Sequence, residues 1–214
     1  MDATVTVTAV ESVGPDTYAI RFDTPPGFTA EPGQFVKLGT EIDDEHVARF
    51  YTLSSPTVGE TFEVTVGIDP EEGGAFSAFL AGVEPGVEMT LAGPFGDQHY
   101  DGEDRVVVLA GGPGVGPAVA IAERALDDGG EAAVVYRDDD PAHESRLTAI
   151  RDRGAAVVLL DADTDLSVSV GDVLTGSDGE GVFVYGFADF VDDATAAIEA
   201  AGGDAAAAKV ENFG

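Results

Sequence analysis

The chain has 214 residues, enough for one large domain or two small ones with buried cores. Its 41 acidic residues against 10 lysines and arginines give a formal net charge of −31. Nucleic-acid binding needs a basic face that neutralises phosphates, so this charge excludes a nucleic-acid partner. Hydrophobic residues make up 44% of the chain and charged residues 24%, which indicates a folded globular protein.

Other classes of site are excluded by what the sequence lacks. There is no cysteine, so disulfides, a cysteine nucleophile and a cysteine-ligated iron–sulfur cluster are ruled out. His46, His99 and His143 do not have metal-ligand spacing, and we predict no metal site. No apolar run approaches the roughly 20 residues that span a bilayer, and the first residues have neither a basic nor an apolar leader pattern. We therefore expect a cytoplasmic protein without a membrane span.

The first hundred residues alternate short apolar strands with glycine and proline. One helix, "GGAFSAFLAGV", interrupts six predicted strands: "TVTVTAV", "DTYAIRF", "QFVKL", "VARFYTL", "TFEVTVGI" and "VEMTLAG". Short strands separated by turn residues indicate an antiparallel barrel or sandwich.

The sequence changes in character after about Gly102. "RVVVLA" is a continuous apolar run, typical of a strand that is buried on both faces of a parallel sheet. The strands "AAVVYR", "AAVVLLD" and "VFVYG" then alternate with helices, while "DTDLSVSVGDVLTGSDGEG" is predicted to be a loop. This alternation predicts an open, mostly parallel α/β sheet of the nucleotide-binding type. We place the two domains at residues 1–101 and 102–214.

A glycine-rich turn joins the first strand of the second domain to its helix. Gly111, Gly112 and Gly114 let the backbone approach a ligand, and the helix N-terminus offers N–H groups to a phosphate. The segment differs from the usual dinucleotide fingerprint and lacks the Lys-Ser/Thr of a P-loop. A tight strand–helix turn without a ligand is therefore the alternative.

Two stretches in the first domain also have phosphate-binding chemistry. Gly73 and Gly74 precede a short helix with Ser77 in its first turn, although an ordinary glycine entry into a helix is equally compatible. In "RFYTLSSP", Arg49 can hold a phosphate oxygen and Tyr51 can stack on a planar ring. The alternative for Arg49 is a surface ion pair on an exposed strand.

The order and spacing of these motifs resemble the ferredoxin–NADP reductase superfamily over essentially the whole chain. "PGQFV", "RFYTLSS", "GAFS" and "GPFG" are similar to its barrel motifs, and "GPGVGP" and "VFVYG" to its Gly-Thr-Gly-x-x-Pro loop and Val-x-Cys-Gly strand. The resemblance implies an N-terminal FAD-binding antiparallel β-barrel followed by an NAD(P)-binding α/β domain with an open parallel sheet.

The resemblance also implies roles for individual residues. Arg49 would pair with the FAD pyrophosphate, Tyr51 would pack on the isoalloxazine, and Thr52 would lie near flavin N5, which requires the strand to bend or end there. Tyr51 and Thr52 are thus the candidate catalytic residues. The other implied cofactor-binding residues are Phe50, Leu53, Ser54, Gly73, Gly74, Ala75, Phe76 and Ser77 for the flavin, and Gly111, Gly112, Gly114, Pro117, Arg137, Tyr185 and Gly186 for the nucleotide.

Several positions depart from the family pattern. Pro113 replaces the loop threonine, which removes a hydroxyl and a backbone donor. Tyr185 replaces the family's cysteine, and its ring would slow hydride transfer or occupy the nicotinamide position. Phe213 corresponds to the aromatic residue that shields the flavin. Arg137 suits a 2′-phosphate, but residues 138–140 are all aspartate and suit a ribose diol, which weakly favours NADH.

We therefore expect an FAD-dependent NAD(P)H oxidoreductase that passes a hydride between nicotinamide C4 and flavin N5. Because reduced flavin can release electrons singly, they would go to or come from a separate protein such as ferredoxin. The chain has no cysteine, so any cysteine-ligated iron–sulfur centre would belong to that partner. One alternative is a flavin-binding electron-transfer or regulatory subunit without free NAD(P)H activity, and another is a structural domain that has lost both ligands. The acidic composition is similar to that of proteins from extremely halophilic archaea.

Overall fold

The structure is a computed structural model that describes residues 1–68 and 74–213. Within these ranges no helix is both long and apolar enough to cross a membrane. The first half contains the six predicted strands and one predicted helix. Their bounds are β1 (Asp2–Gly14), β2 (Thr17–Asp23), β3 (Phe35–Ile42), β4 (Glu45–Thr52), β5 (Thr61–Gly67), α1 (Ala75–Ala81) and β6 (Glu88–Phe95).

The six strands form one antiparallel sheet in the order β4-β3-β6-β1-β2-β5. An isolated bridge between Leu53 and Val64 connects the end of β4 with β5, the strand at the opposite edge of the sheet. The sheet is therefore barrel-like, as predicted, and alternate side chains of its strands, such as Val5, Leu38 and Phe62, fill the interior.

The elements of the second half are β7 (Arg105–Gly111), α2 (Val115–Asp127), β8 (Glu131–Arg137), α3 (Glu144–Asp152), β9 (Ala156–Leu160), α4 (Ser167–Val173), β10 (Glu180–Gly186), α5 (Ala188–Ala200) and β11 (Lys209–Asn212). Their strands form a sheet whose pairs are all parallel, in the order β11-β10-β7-β8-β9. Helices α2 and α3 pack on one face and α4 and α5 on the other, so the central strand β7 is buried on both sides. This confirms the predicted fold, while the domain boundary at residue 101 stays a prediction.

Helix α4 lies in the segment that the sequence predicted to be a loop, so that prediction was wrong there. Its sequence "SVSVGDV" alternates polar and apolar residues as a strand does, and Gly171 lowers its helix propensity. Leu166, Val170 and Val173 are nevertheless buried against the sheet and α5. Tertiary packing of these three side chains outweighs the local preference.

Buried polar contacts fix how the barrel and the α/β half meet. Arg146 on α3 donates to the carbonyl oxygen of Ser54 at 2.9 Å and to Oε1 of Glu63 at 3.1 Å, both in the barrel half. His143 Nε2 lies 2.8 Å from Oγ1 of Thr65 on β5. Burial, with a smaller effect of the Arg146 charge, lowers the pKa of His143 to about 3, so its imidazole is neutral near pH 7. These contacts hold the two halves in one arrangement around a shared cavity.

Candidate functional site

A cavity of about 450 Å³ lies between the barrel and the α/β half. This volume is within the range of small-molecule and cofactor sites. Strands β4 and β5 and helix α1 contribute from one side, and the glycine-rich turn, α2 and β11 from the other. The lining residues are Arg49, Phe50, Tyr51, Thr52, Thr65, Val66, Gly67, Ser77, Pro113, Pro117, Phe187, Glu211, Asn212 and Phe213.

Four successive residues, 49 to 52, line the cavity at the carboxyl end of β4. Thr52 is the last residue of β4 and pairs with Phe35, after which Leu53 turns toward β5. A regular strand would direct alternate side chains to opposite faces. The end of the strand at Thr52 agrees with the requirement stated from the sequence.

Arg49 presents a positive charge at this cavity. It is exposed, and its Nη1 donates to the neighbouring carbonyl oxygen of Ala48 at 2.9 Å. In the described ranges Arg49 forms no ion pair, although most of the other cations do. The surface ion pair considered from the sequence is therefore absent among those residues. A guanidinium in this position is suited to a phosphate.

Tyr51 offers a flat apolar surface. Its ring stacks on that of Phe76 with centroids 6.2 Å apart and an interplanar angle of 23°. Burial raises the pKa of the Tyr51 hydroxyl, despite the nearby charge of Arg49, so the phenol is not ionised at neutral pH. The Tyr51 ring can therefore pack against a planar aromatic ligand.

Helix α1 has an open entrance beside Ser77. Gly74 is its N-cap; among the described residues, no side chain caps its first amides and a Cβ at Gly74 would meet no atom within 4 Å. Ala75 is exposed, whereas Leu53 and Phe76 belong to the barrel core. The amides of this turn are thus available to an anion.

Two other residues proposed from the motifs are not found in the cavity lining, for different reasons. Ser54 is fully buried, and its Oγ donates to Oε1 of Glu63 at 3.0 Å. Gly73 lies outside the described residues.

Glu211 is a candidate functional residue that the sequence analysis missed. The hydroxyl of Thr52 donates to Glu211 Oε1 at 2.9 Å. Burial raises the pKa of the Glu211 carboxyl from 4.5 to about 7, although the Thr52 hydrogen bond acts in the opposite direction. The carboxyl can therefore hold or release a proton near neutral pH. The available signal was its place two residues before Phe213, which also lines the cavity.

Three glycines in and near the glycine-rich turn are required by close packing. An added Cβ would lie 2.5 Å from the Phe190 ring at Gly111 and 2.6 Å from it at Gly186. At Gly114 it would lie 2.2 Å from the carbonyl oxygen of Tyr185. Packing alone therefore accounts for these three glycines, whether or not a ligand binds near them.

Tyr185 does not line the cavity. Its ring is fully buried in the core under α2, and its hydroxyl donates to the carbonyl oxygen of Gln98 at 3.3 Å. Burial raises its pKa, so the hydroxyl is neutral. Phe213 does line the cavity, where its ring packs edge to face against Phe187 with centroids 6.0 Å apart.

A second cavity of about 490 Å³ adjoins the first, and Phe187 lines both. It lies at the carboxyl ends of β7 and β8, where open α/β sheets bind ligands. Arg137 is the one cation among its described lining residues. The lining consists of Gly111, Gly112, Arg137, Asp138, Asp139, Asp140, Ala162, Phe187, Asp189 and Phe190. Across the described ranges, no group of three or more His, Asp or Glu side chains is placed to hold a metal ion.

The fold joins an antiparallel β-barrel to an α/β domain, with a cavity of cofactor size between the two halves. Residues 4–100 match the family described as the oxidoreductase FAD-binding domain. This part of the chain is an FAD-binding domain of the ferredoxin reductase-like superfamily.

Two individual proteins are similar to this chain over about half of its length. The chain is 39% identical over 109 residues to the glycine betaine monooxygenase reductase subunit of Chromohalobacter salexigens, a match that covers 49% of this chain and 29% of that protein. It is 38% identical over 94 residues to the probable dihydroorotate dehydrogenase B (NAD(+)) electron transfer subunit of Methanopyrus kandleri, covering 44% and 33%. The matches thus span about a third of the length of these relatives.

A solved structure shows the fold over almost the entire chain. The flavohem-like FAD/NAD-binding domain of nitric oxide dioxygenase from Vibrio cholerae O1 biovar El Tor superposes with a TM-score of 0.86. The superposition covers 99% of this chain and 98% of that one at 19% identity. At this identity the likeness establishes the shared two-domain fold.

Proposed function

We propose that the chain is an FAD-dependent NAD(P)H oxidoreductase that exchanges electrons with a separate redox protein. The observation that carries this proposal is the cavity in which Arg49, Tyr51 and Thr52 of the FAD-binding domain face Pro117 and Phe213 of the α/β half. When bound, FAD accepts a hydride from the nicotinamide and can release electrons singly.

The residues around the cavity fit the chemical groups of FAD. The exposed guanidinium of Arg49 and the uncapped amides of α1 suit the pyrophosphate. Tyr51 provides a flat face for the isoalloxazine, and Phe213 lies across the cavity from the barrel strands. Thr52 and Glu211 form a hydrogen-bonded pair that lines the cavity, and the Glu211 carboxyl would supply or take up a proton there near neutral pH.

The second cavity is the proposed nucleotide site, with NADH favoured over NADPH. Four aspartates line it, and its arginine is already paired with Asp193. Like charges disfavour a further phosphate dianion, whereas carboxylates can accept hydrogen bonds from a ribose diol. The burial of the Tyr185 ring away from the first cavity supports access of the nicotinamide to the flavin site.

A separate redox protein is proposed as the electron partner because two relatives are a reductase subunit and an electron transfer subunit. Ferredoxin is one candidate. A second possible function is an electron-transfer subunit that does not oxidise free NAD(P)H. Pro113 favours this second function, since it lacks the N–H and hydroxyl that the family's threonine offers. The cytoplasmic location and the adaptation to high salt stay predictions.

An anaerobic absorbance titration tests the proposal. Protein purified in molar KCl is saturated with FAD, and NADH or NADPH is added while the flavin band is followed. Rapid bleaching is expected, at lower concentrations of NADH than of NADPH. A bound flavin that neither nucleotide bleaches would refute the reductase and support the electron-transfer subunit. Failure to bind FAD would refute both.

A further inference from the structure

Three groups contact the guanidinium of Arg137, the cationic side chain of the second cavity. Nη2 of Arg137 lies 2.9 Å from Oδ2 of Asp193 on α5, and its Nη1 donates to the carbonyl oxygen of Thr164 at 3.3 Å. The guanidinium carbon lies 5.1 Å from the centroid of the Phe190 ring. The Arg137 side chain is only 13% exposed, although the residue ends β8 at the cavity. Its charge is thus matched by a carboxylate and its orientation is fixed within the protein.

The other charges that line this cavity are negative. Asp138 accepts the N–H of Asp140 at 2.9 Å, and Asp139 accepts the N–H of Ala162 at 2.8 Å, so two of the carboxylates are fixed by backbone donors. Asp189 adds another carboxylate in the first turn of α5. A ligand that carried an extra phosphate here would meet four carboxylates and an arginine whose charge is already paired.

We propose that Asp193 determines which nicotinamide nucleotide is accepted, because it holds Arg137 away from the 2′-phosphate that distinguishes NADPH from NADH. Binding of NADPH would require Arg137 to exchange its carboxylate for the phosphate, so the new ion pair is offset by the one that is broken. Binding of NADH leaves the Arg137–Asp193 pair intact. Asp193 is therefore a specificity-determining residue that lies outside the cavity lining. This inference rests on the proposed function and names the residue that sets its nucleotide preference.

The variant Asp193→Asn tests this role, because it keeps the size of the side chain and removes its charge. Asp193 is 59% exposed, so the fold is expected to tolerate the change. The ratio of kcat/KM for NADPH to that for NADH should rise about tenfold. Calorimetric titration with 2′,5′-ADP and with 5′-AMP measures the same preference without flavin chemistry. The affinity for 2′,5′-ADP should rise about tenfold, while that for 5′-AMP should not change.

The neighbouring variant Asp192→Asn is the matched control, since it makes the same change in net charge at an exposed position of the same helix. Asp192→Asn should leave unchanged both the ratio of kcat/KM values and the affinity for 2′,5′-ADP. The double variant Asp193→Asn, Arg137→Gln should lose the gain, because the gain acts through the freed guanidinium.

An unchanged ratio in Asp193→Asn, an equal rise in Asp192→Asn, or a gain that survives in the double variant would overturn the inference. A flavin that neither nucleotide reduces would refute the proposed function instead, and the 2′,5′-ADP titration would still decide the role of Asp193.

Discussion

Replacing Glu211 with glutamine should remove one component of the pH dependence of stability. The folded carboxyl has a pKa of about 7, whereas an exposed glutamate ionises near 4.5. Because its pKa is higher in the folded than in the unfolded protein, Glu211 makes a stabilising contribution to the free energy of unfolding. This contribution is fully present below about pH 4.5 and is lost as the pH rises through about 7. Glutamine cannot ionise but still offers an acceptor to the hydroxyl of Thr52.

The size of this effect follows from the raised pKa. Each pH unit between the folded and unfolded pKa corresponds to about 1.4 kcal/mol, which sets an upper limit of about 3 kcal/mol for Glu211. Partial exposure of the side chain and screening by salt reduce the expected contribution to about 1–2 kcal/mol.

Urea unfolding of the flavin-free protein at a series of pH values from 5 to 8 measures this contribution. The difference in free energy of unfolding between wild type and Glu211→Gln should change by about 1–2 kcal/mol across that range, with wild type losing more stability at high pH. Glu199→Gln, at an exposed position on α5, should follow the wild-type profile. Parallel profiles for wild type and Glu211→Gln would refute the reasoning.

Three further substitutions test the cavity and the contacts that hold it. Arg49→Gln should weaken FAD binding about tenfold to a hundredfold in a fluorescence titration, whereas the exposed control Arg151→Gln should not. Gly114→Ala places a Cβ 2.2 Å from a buried carbonyl oxygen and should lower the free energy of unfolding by more than about 2 kcal/mol. At Gly171 an added Cβ would meet no described atom within 4 Å outside its own helix, so Gly171→Ala should raise the free energy of unfolding by up to about 1 kcal/mol. Arg146→Met removes ion pairs with Glu63 and Glu123, although Glu63 keeps its pair with Arg21. It should cost about 2–3 kcal/mol, so an unchanged urea midpoint would contradict its role between the halves.

The sequence predicted the architecture because its two halves have different periodicities. Alternating strands with glycine and proline between them gave the antiparallel barrel, and continuous apolar runs separated by helices gave the parallel sheet. Helix α4 was missed because its alternating valines look like a strand, and the burial that makes it a helix depends on α5 and the sheet.

The candidate site was predictable only in the part that local motifs encode. Residues 49 to 52 are adjacent in sequence and reach one cavity together. Glu211 meets Thr52 only because β11 pairs with β10 in parallel at the edge of the other sheet, a contact between residues 159 positions apart. Likewise, the pairing of Arg137 with Asp193 depends on where α5 packs, which no local pattern states.

The position of β11 also has a consequence for the order in which the protein matures on the ribosome. The barrel strands that carry Arg49 and Thr52 can pair early in synthesis, since domains generally fold N-terminal first. The opposite wall of the cavity needs Glu211 and Phe213, which emerge from the ribosome more than a hundred residues later. A nascent chain that stops before Lys209 therefore has the barrel half of the cavity and lacks the strand that closes it. Stable retention of the cofactor should accordingly wait until residues 209–213 have been synthesised and β11 has paired with β10.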